Sequence, residues 1–211
     1  MLMIASVELS PNANDLRAQY TELVKAQDTV DGLDVSVLGH DTPDSVIASA
    51  AHVLAIAFDK DPVFAYLRGG DKSPLNPVFN FILRESIDHG GIPVIAQNTE
   101  DKEVVGVIDM QLPGMKPESP LYSIRYGAPS AIGVFGLMGA IKSAYGLSGV
   151  ERSVEKQKSN VGVSDAMYLN YVGILQPFRR KSVIHALADP GLKVADQYGL
   201  HAVLASSNDR V

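Results

Sequence analysis

The segment from 167 to 206 constrains the fold of this chain more than any other. An apolar strand, Met167 to Leu175, runs into a Gln176-Pro177 turn and then a helix from Lys181 to Tyr198. Gly199 and Leu200 lead into a last strand, His201 to Ser206. Two strands joined through a helix cannot pair as a hairpin. They pair in parallel, side by side in one sheet, through a right-handed crossover.

The rest of the chain supplies the strands that complete such a sheet. Asn14 to Gln27 places Leu16, Tyr20, Leu23 and Val24 on one face, which is helical spacing. Asp34 to Leu38 alternates and is rich in valine, so it reads as the first strand, ended by Gly39. Thr42-Pro43 puts proline at the first helical position and opens a helix to about Phe58. Asp61-Pro62 starts a short helical piece that stops near Gly69-Gly70. Pro74 or Asn76-Pro77 starts another, carrying Val78, Phe79, Ile82 and Ile87 and ending at Gly90-Gly91. Ile92 to Gln97 and Glu103 to Gln111 then form a hairpin across the polar turn 98–102. Residues 115–129 have no clear period, and 131 to about 158 predict helix, broken near Gly146 and Gly149.

Composition excludes several classes. A length of 211 residues with 46% hydrophobic and 20% charged content suits one soluble domain with a sizeable core. The net charge of -6 argues against nucleic acid or an anionic membrane as partner. Cysteine is absent, so disulfides, thiolate metal sites and cysteine nucleophiles are excluded. His40, His52 and His201 are too scattered for a ligand set, and no metal is expected. Residues 1–5 lack the basic region and apolar core of a secretion signal, and no apolar run reaches the length of a membrane span, so the cytoplasm is the expected location.

Four motifs, in order, carry a resemblance to a known family. Ala57-Phe58-Asp59-Lys60-Asp61-Pro62-Val63-Phe64 is similar to an A-F-x-x-D-P-x-(F/M) opening, and Val104-Val105-Gly106-Val107-Ile108 to a strand reading IVGxA. Ala195-Asp196-Gln197-Tyr198-Gly199-Leu200 is similar to AD-x-x-G-L. The strand, Gln-Pro turn and helix of 171–187 match the frame V-x-P-x-(Y/F)-R-G-x-G-I-G-x-x-L. Together they resemble the GNAT (Gcn5-related) N-acetyltransferases, in particular a fungal and bacterial branch, over roughly residues 46 to 208. The resemblance implies a mixed, mostly antiparallel twisted sheet with helices on both faces. It implies one GNAT-like domain over 1–211, with 1–30 as an N-terminal helical extension and 113–165 as a helical insertion over the cleft.

Two departures qualify that frame. The three glycine positions of the pyrophosphate loop hold Arg180, Ser182 and Ile184. A helix start binds diphosphate through free backbone N–H groups, and glycines let the backbone come close. Their loss predicts weak coenzyme A binding; Arg179, Arg180 and Lys181 are the alternative phosphate ligands, and a merely solvated helix start is a third reading. The chain also ends at Val211, where the family continues with a helix and two strands, so either the sheet is shortened or the sequence is a piece. A shortened sheet would leave an edge for another segment or a second copy to cover, which makes a homodimer an expectation.

Acetyl transfer within the family needs a base for the amine, backbone donors on the central strand and an acid for the thiol. The resemblance assigns the catalytic candidates to Asp109, Asn170 and Tyr171. It assigns acetyl-CoA binding to Leu169, Val172, Ile174, Arg179, Arg180, Lys181, Ser182 and Asn208. Against these stand plainer readings: Asp109 as a solvated strand-end carboxylate, Tyr171 as a core tyrosine, His185 as a surface residue. Glu85 and His89, one turn apart, read as an exposed pair on a shared face. Three functions remain open. The chain transfers acetyl from acetyl-CoA to a small-molecule amine, or it has abandoned coenzyme A for a rearrangement or cyclisation in a biosynthetic pathway, or it is a non-catalytic binding or assembly module.

Overall fold

Runs of valine and isoleucine bounded by glycine and polar turns give five strands, and all five join one sheet. The computed structural model describes residues 13–27, 32–69, 73–113, 129, 132–136, 166–179 and 182–204. Strands β1 (Leu33–Val37), β2 (Ile92–Asn98), β3 (Val104–Gln111), β4 (Ala166–Ile174) and β5 (His201–Leu204) lie in the sheet in chain order. The first four are mutually antiparallel, β2 and β3 forming the expected hairpin. β4 and β5 are the expected parallel pair, in register from Ala166 opposite His201 to Leu169 opposite Leu204. Residues 205 and 206, read as the end of the last strand, lie outside the described residues.

Helices cover both faces. α2 (Asp44–Ala57), α3 (Pro62–Arg68) and α4 (Asn76–His89) lie on one side, and α1 (Ala13–Lys25) and α5 (Val183–Gln197) on the other. Sequence sets their ends. Asp61 caps α3, its carboxylate accepting from the N–H groups of Val63 at 2.8 Å and Phe64 at 3.2 Å, with Pro62 in the first turn. Pro43 is the residue before α2 rather than its first helical residue. A stretch at 132–136 is helical, while the rest of the region read as a long helix, and all of 115–128, lie outside the described residues.

Each face has its own core. Between α2, α3, α4 and the sheet pack Leu54, Phe64, Phe79, Leu83, Ile95 and Val107, among others. Between α1, α5 and the sheet pack Leu16, Tyr20, Ile108, Met110, Val183 and Leu187. Gly106 shows how closely α5 is seated. A Cβ there would stand 2.7 Å from Val183 Cγ1, so the first turn of α5 lies directly on β3. The glycine of the Val104–Ile108 motif therefore fixes where that helix begins.

Candidate active site

The site is organised by one extra residue in β4. Pairing runs Asp109 opposite Tyr171 and then Met110 opposite Leu169, which leaves Asn170 without a partner on β3. This is a β-bulge, and its consequence can be read from the two cores. Met167, Leu169, Val172 and Ile174 all pack toward α1 and α5, a spacing of two, three and two. Strict alternation would have sent Val172 the other way. The bulge absorbs the extra residue and turns both Asn170 and Tyr171 toward the α2–α4 face.

That face holds a buried carboxylate. Asp109 is 2% exposed in the middle of the sheet. Its two oxygens each accept one hydrogen bond: the Ser86 hydroxyl of α4 donates to Oδ1 at 2.5 Å, and the Asn170 amide donates to Oδ2 at 3.3 Å. Burial drives the Asp109 pKa above its ordinary value, because a charged carboxylate loses its water; the bonds from Ser86 and Asn170 act the other way and are the smaller causes. The expectation of a solvated strand-end carboxylate is thus corrected. The strand ends at Gln111, but α4 roofs Asp109 from above.

Aromatic rings close the site on one side. Tyr171, half-buried, meets Phe58 edge-on at a centroid distance of 5.8 Å and Phe79 at 5.5 Å. Phe64 continues the cluster, 5.6 Å from Phe58 and 5.2 Å from Phe79. Phe58 and Phe64 belong to the Ala57–Phe64 motif, so that motif supplies the wall beside Tyr171.

The β4 edge and the helix start lie beyond. Parallel pairing with β5 reaches Leu169, and among the described residues no strand continues it alongside Asn170 to Ile174. Leu169, Val172 and Ile174 point their partly buried side chains into the α1–α5 core, so what they offer a ligand is backbone. After Ile174 the chain makes a short 3-10 turn, Gln176–Phe178. Exposed Arg179 folds back, its Nε donating to the Ile174 carbonyl at 3.2 Å. Ser182 precedes α5 and makes no side-chain capping bond, and Ile184 is half-buried in the first turn. Arg180, Lys181 and Asn208 lie outside the described residues.

The other candidates separate from this cluster. His185 is on the surface, 3.5 Å from Asp189 one turn on. Glu85 is buried rather than exposed, at 7%, and His89 Nδ1 lies 3.0 Å from its backbone carbonyl, not from its carboxylate. The residue that sequence reading missed is Ser86. Its signal was present: Ser86 falls in register with Phe79 and Leu83 on the apolar stripe of α4, where a hydroxyl needs an acceptor. Among the described residues no group of three His, Asp or Glu is placed to hold a metal ion, and no helix is long and apolar enough to cross a membrane.

A five-strand, mostly antiparallel sheet with one parallel pair and helices on both faces decides the fold. The fold is GNAT-like. No protein-family model matches the chain, and no curated protein is similar to it in sequence. Solved structures similar to it include the mosquito arylalkylamine N-acetyltransferase like 5b, at a TM-score of 0.48 and 14% identity over 80% of this chain and 73% of that one. Another is the Drosophila melanogaster polyamine N-acetyltransferase, at 0.46 and 13% over 83% and 77%. A third, from Corynebacterium glutamicum, is described as histone acetyltransferase HPA2 and related acetyltransferase, at 0.46 and 18% over 76% and 71%.

Proposed function

We propose that this chain is a GNAT-family N-acyltransferase that moves an acetyl group from acetyl-CoA to a small-molecule amine. The observation that carries the reading is the β4 bulge, which sets Asn170 and Tyr171 beside the buried Asp109, next to the last described β4–β5 pair, Leu169 opposite Leu204. The residues fit the donor on two counts. The β4 backbone from Asn170 to Ile174 offers peptide groups to an extended amide-bearing arm, and the first turn of α5 offers N–H groups that Ser182 does not cap. Arg179, Arg180 and Lys181 add charge for phosphate, and Asn208 further polar contact. Acetyl-CoA, when bound, supplies the acetyl group as an activated thioester.

The chain's own groups do the rest. Asp109, with its pKa raised by burial, is a stronger base than a solvated carboxylate, and it accepts the proton of the ammonium through one water so that a neutral amine can attack. Asn170 and Ser86 keep both carboxylate oxygens aimed. A β4 backbone N–H donates to the carbonyl oxygen as charge develops on it; the carbon–sulfur bond then breaks, and the departing thiolate takes up the proton shed by the new amide nitrogen. Tyr171 and the phenylalanine wall exclude water and set an apolar acceptor side.

A second reading is favoured by one specific feature. Arg180, Ser182 and Ile184 replace three glycines, and the bulk of Ile184 sits at the helix start. In that reading the cleft has abandoned coenzyme A and performs a rearrangement or cyclisation. Calorimetric titration with acetyl-CoA separates the two. The transferase reading expects saturable binding, weaker than the roughly -8 kcal/mol of a micromolar site, reduced further by Arg179→Ala with Arg180→Ala. It also expects tighter binding when Arg180, Ser182 and Ile184 are changed to glycine, at a helix cost of up to about 1 kcal/mol each. No binding at millimolar acetyl-CoA would leave the second reading standing.

A further inference from the structure

We infer that Ser86 is a positioning residue for Asp109 and that the end of α4 is built to hold it there, an inference that rests on the reading of Asp109 as proton acceptor. A serine hydroxyl has one hydrogen to give. Here that hydrogen is committed to Asp109 Oδ1, at 2.5 Å, across the gap between α4 and the sheet. With Asn170 on Oδ2, each oxygen has one donor and the carboxylate plane is fixed from two separate elements.

The helix end explains why the hydroxyl points where it does. α4 stops at Gly90, whose left-handed φ of 87° no side chain adopts easily, and the N–H groups of Gly90 and Gly91 both turn back to the Ser86 carbonyl, the latter at 2.7 Å. A Cβ on Gly91 would stand 2.1 Å from Ser86 Oγ. The absence of a side chain at Gly91 is therefore what gives the Ser86 hydroxyl its place. Helix termination and carboxylate orientation are one device, running Gly90-Gly91, Ser86, Asp109, Asn170. Asp109 bonds to Ser86 of α4 and Asn170 of β4 and lies in register with Pro93 of β2 and Tyr171 of β4, and no charged group is among the causes of its shift. The hydroxyl bond thus opposes the upward push of burial on the Asp109 carboxyl.

The variants Ser86→Ala, Gly91→Ala, the double variant and Ser86→Thr test this in the full-length protein. Two readouts apply: the pH titration of the Asp109 carboxyl carbon by NMR, with Asp109→Asn as the blank, and the pH profile of acetyl transfer from acetyl-CoA to amines. Losing the hydroxyl should move the Asp109 titration and the acid limb of kcat/KM to higher pH, with kcat at neutral pH down about tenfold, as expected for a hydrogen bond to a charged group. KM should change little. Gly91→Ala should act in the same direction, and should add little on the Ser86→Ala background, because its effect runs through Ser86. Ser86→Thr, which keeps the hydroxyl, should restore the profile. If Ser86→Ala fails to fold, Gly91→Ala carries the same test, since the backbone at Gly91 is not left-handed. An Asp109 titration unchanged in Ser86→Ala or Gly91→Ala overturns the inference. A shifted titration without any amine acetylation keeps Ser86 as the group that sets Asp109 and removes the transferase reading instead.

Discussion

Among the described residues, each face of the sheet holds a side chain whose pKa burial raises, and the two faces treat it in opposite ways. On the α1–α5 face, Tyr20 is fully buried and its hydroxyl donates to the Leu187 carbonyl at 2.9 Å. Burial raises its pKa far above the ordinary value, so it stays neutral and serves as a fixed cross-link between α1 and α5. On the α2–α4 face, Asp109 is as deeply buried but can only accept, and its two donors favour the charged form that burial disfavours. A neutral donor bonded to a carbonyl costs the fold nothing further. A buried carboxylate does, because its charged form loses its water. On the proposed reading the first face is structural and the second carries the chemistry.

The largest effect expected is on activity. Asp109→Asn should lower amine acetylation by about 100-fold or more, the usual contribution of a positioned base. The same variant should unfold at a higher temperature at neutral pH, by on the order of 1 kcal/mol, because a carboxyl whose charged form burial disfavours has been replaced by a neutral amide. The sign follows from linkage. The folded pKa of Asp109 lies above the ordinary value it has when unfolded, so the folded state holds the extra proton. Stability from this group is present below that value and is lost as pH rises through the folded pKa. Unfolding in urea from pH 3 to pH 8 should show that fall in the wild type and lack it in Asp109→Asn.

Next in size is Phe79→Ala. Phe79 is fully buried and touches Phe58 at 5.4 Å, Phe64 at 5.2 Å and Tyr171 at 5.5 Å, so its loss should cost about 3–5 kcal/mol of stability. Gly106→Ala should cost about 1–3 kcal/mol by forcing the first turn of α5 off β3. It should weaken acetyl-CoA binding by more than it changes the Asp109 titration. Smallest is Tyr20→Phe, expected to lower stability by about 1 kcal/mol through one lost hydrogen bond, with the acid-side slope of stability unchanged. A change in that slope would erase the distinction between the two faces.

Much of the fold was legible because its signals are local. Val and Ile alternation marked the strands, Pro62 and Gly90 marked helix ends, and the helix between β4 and β5 required their parallel pairing. The site was legible in part. Asn170 and Tyr171 stood out as the polar members of an apolar strand, and Asp109 through the resemblance, which expects an acidic residue near that strand end; the structure bonds Asn170 to Asp109 and sets Tyr171 opposite it in register. What no local signal disclosed was the bulge. An extra residue is invisible until β4 is laid against β3, and only then do Asn170 and Tyr171 share a face. Ser86 was missed for a related reason: its partner is 23 positions away and in another layer.

The central claim is that the bulged strand and the buried carboxylate form a transfer site. It is tested most directly by thiol release from acetyl-CoA across a panel of small amines, with wild type and Asp109→Asn side by side. The wild type should show amine-dependent release, rising with pH through the Asp109 titration, and the variant about 100-fold less. Release that is absent with every amine, or equal in the two proteins, would contradict it.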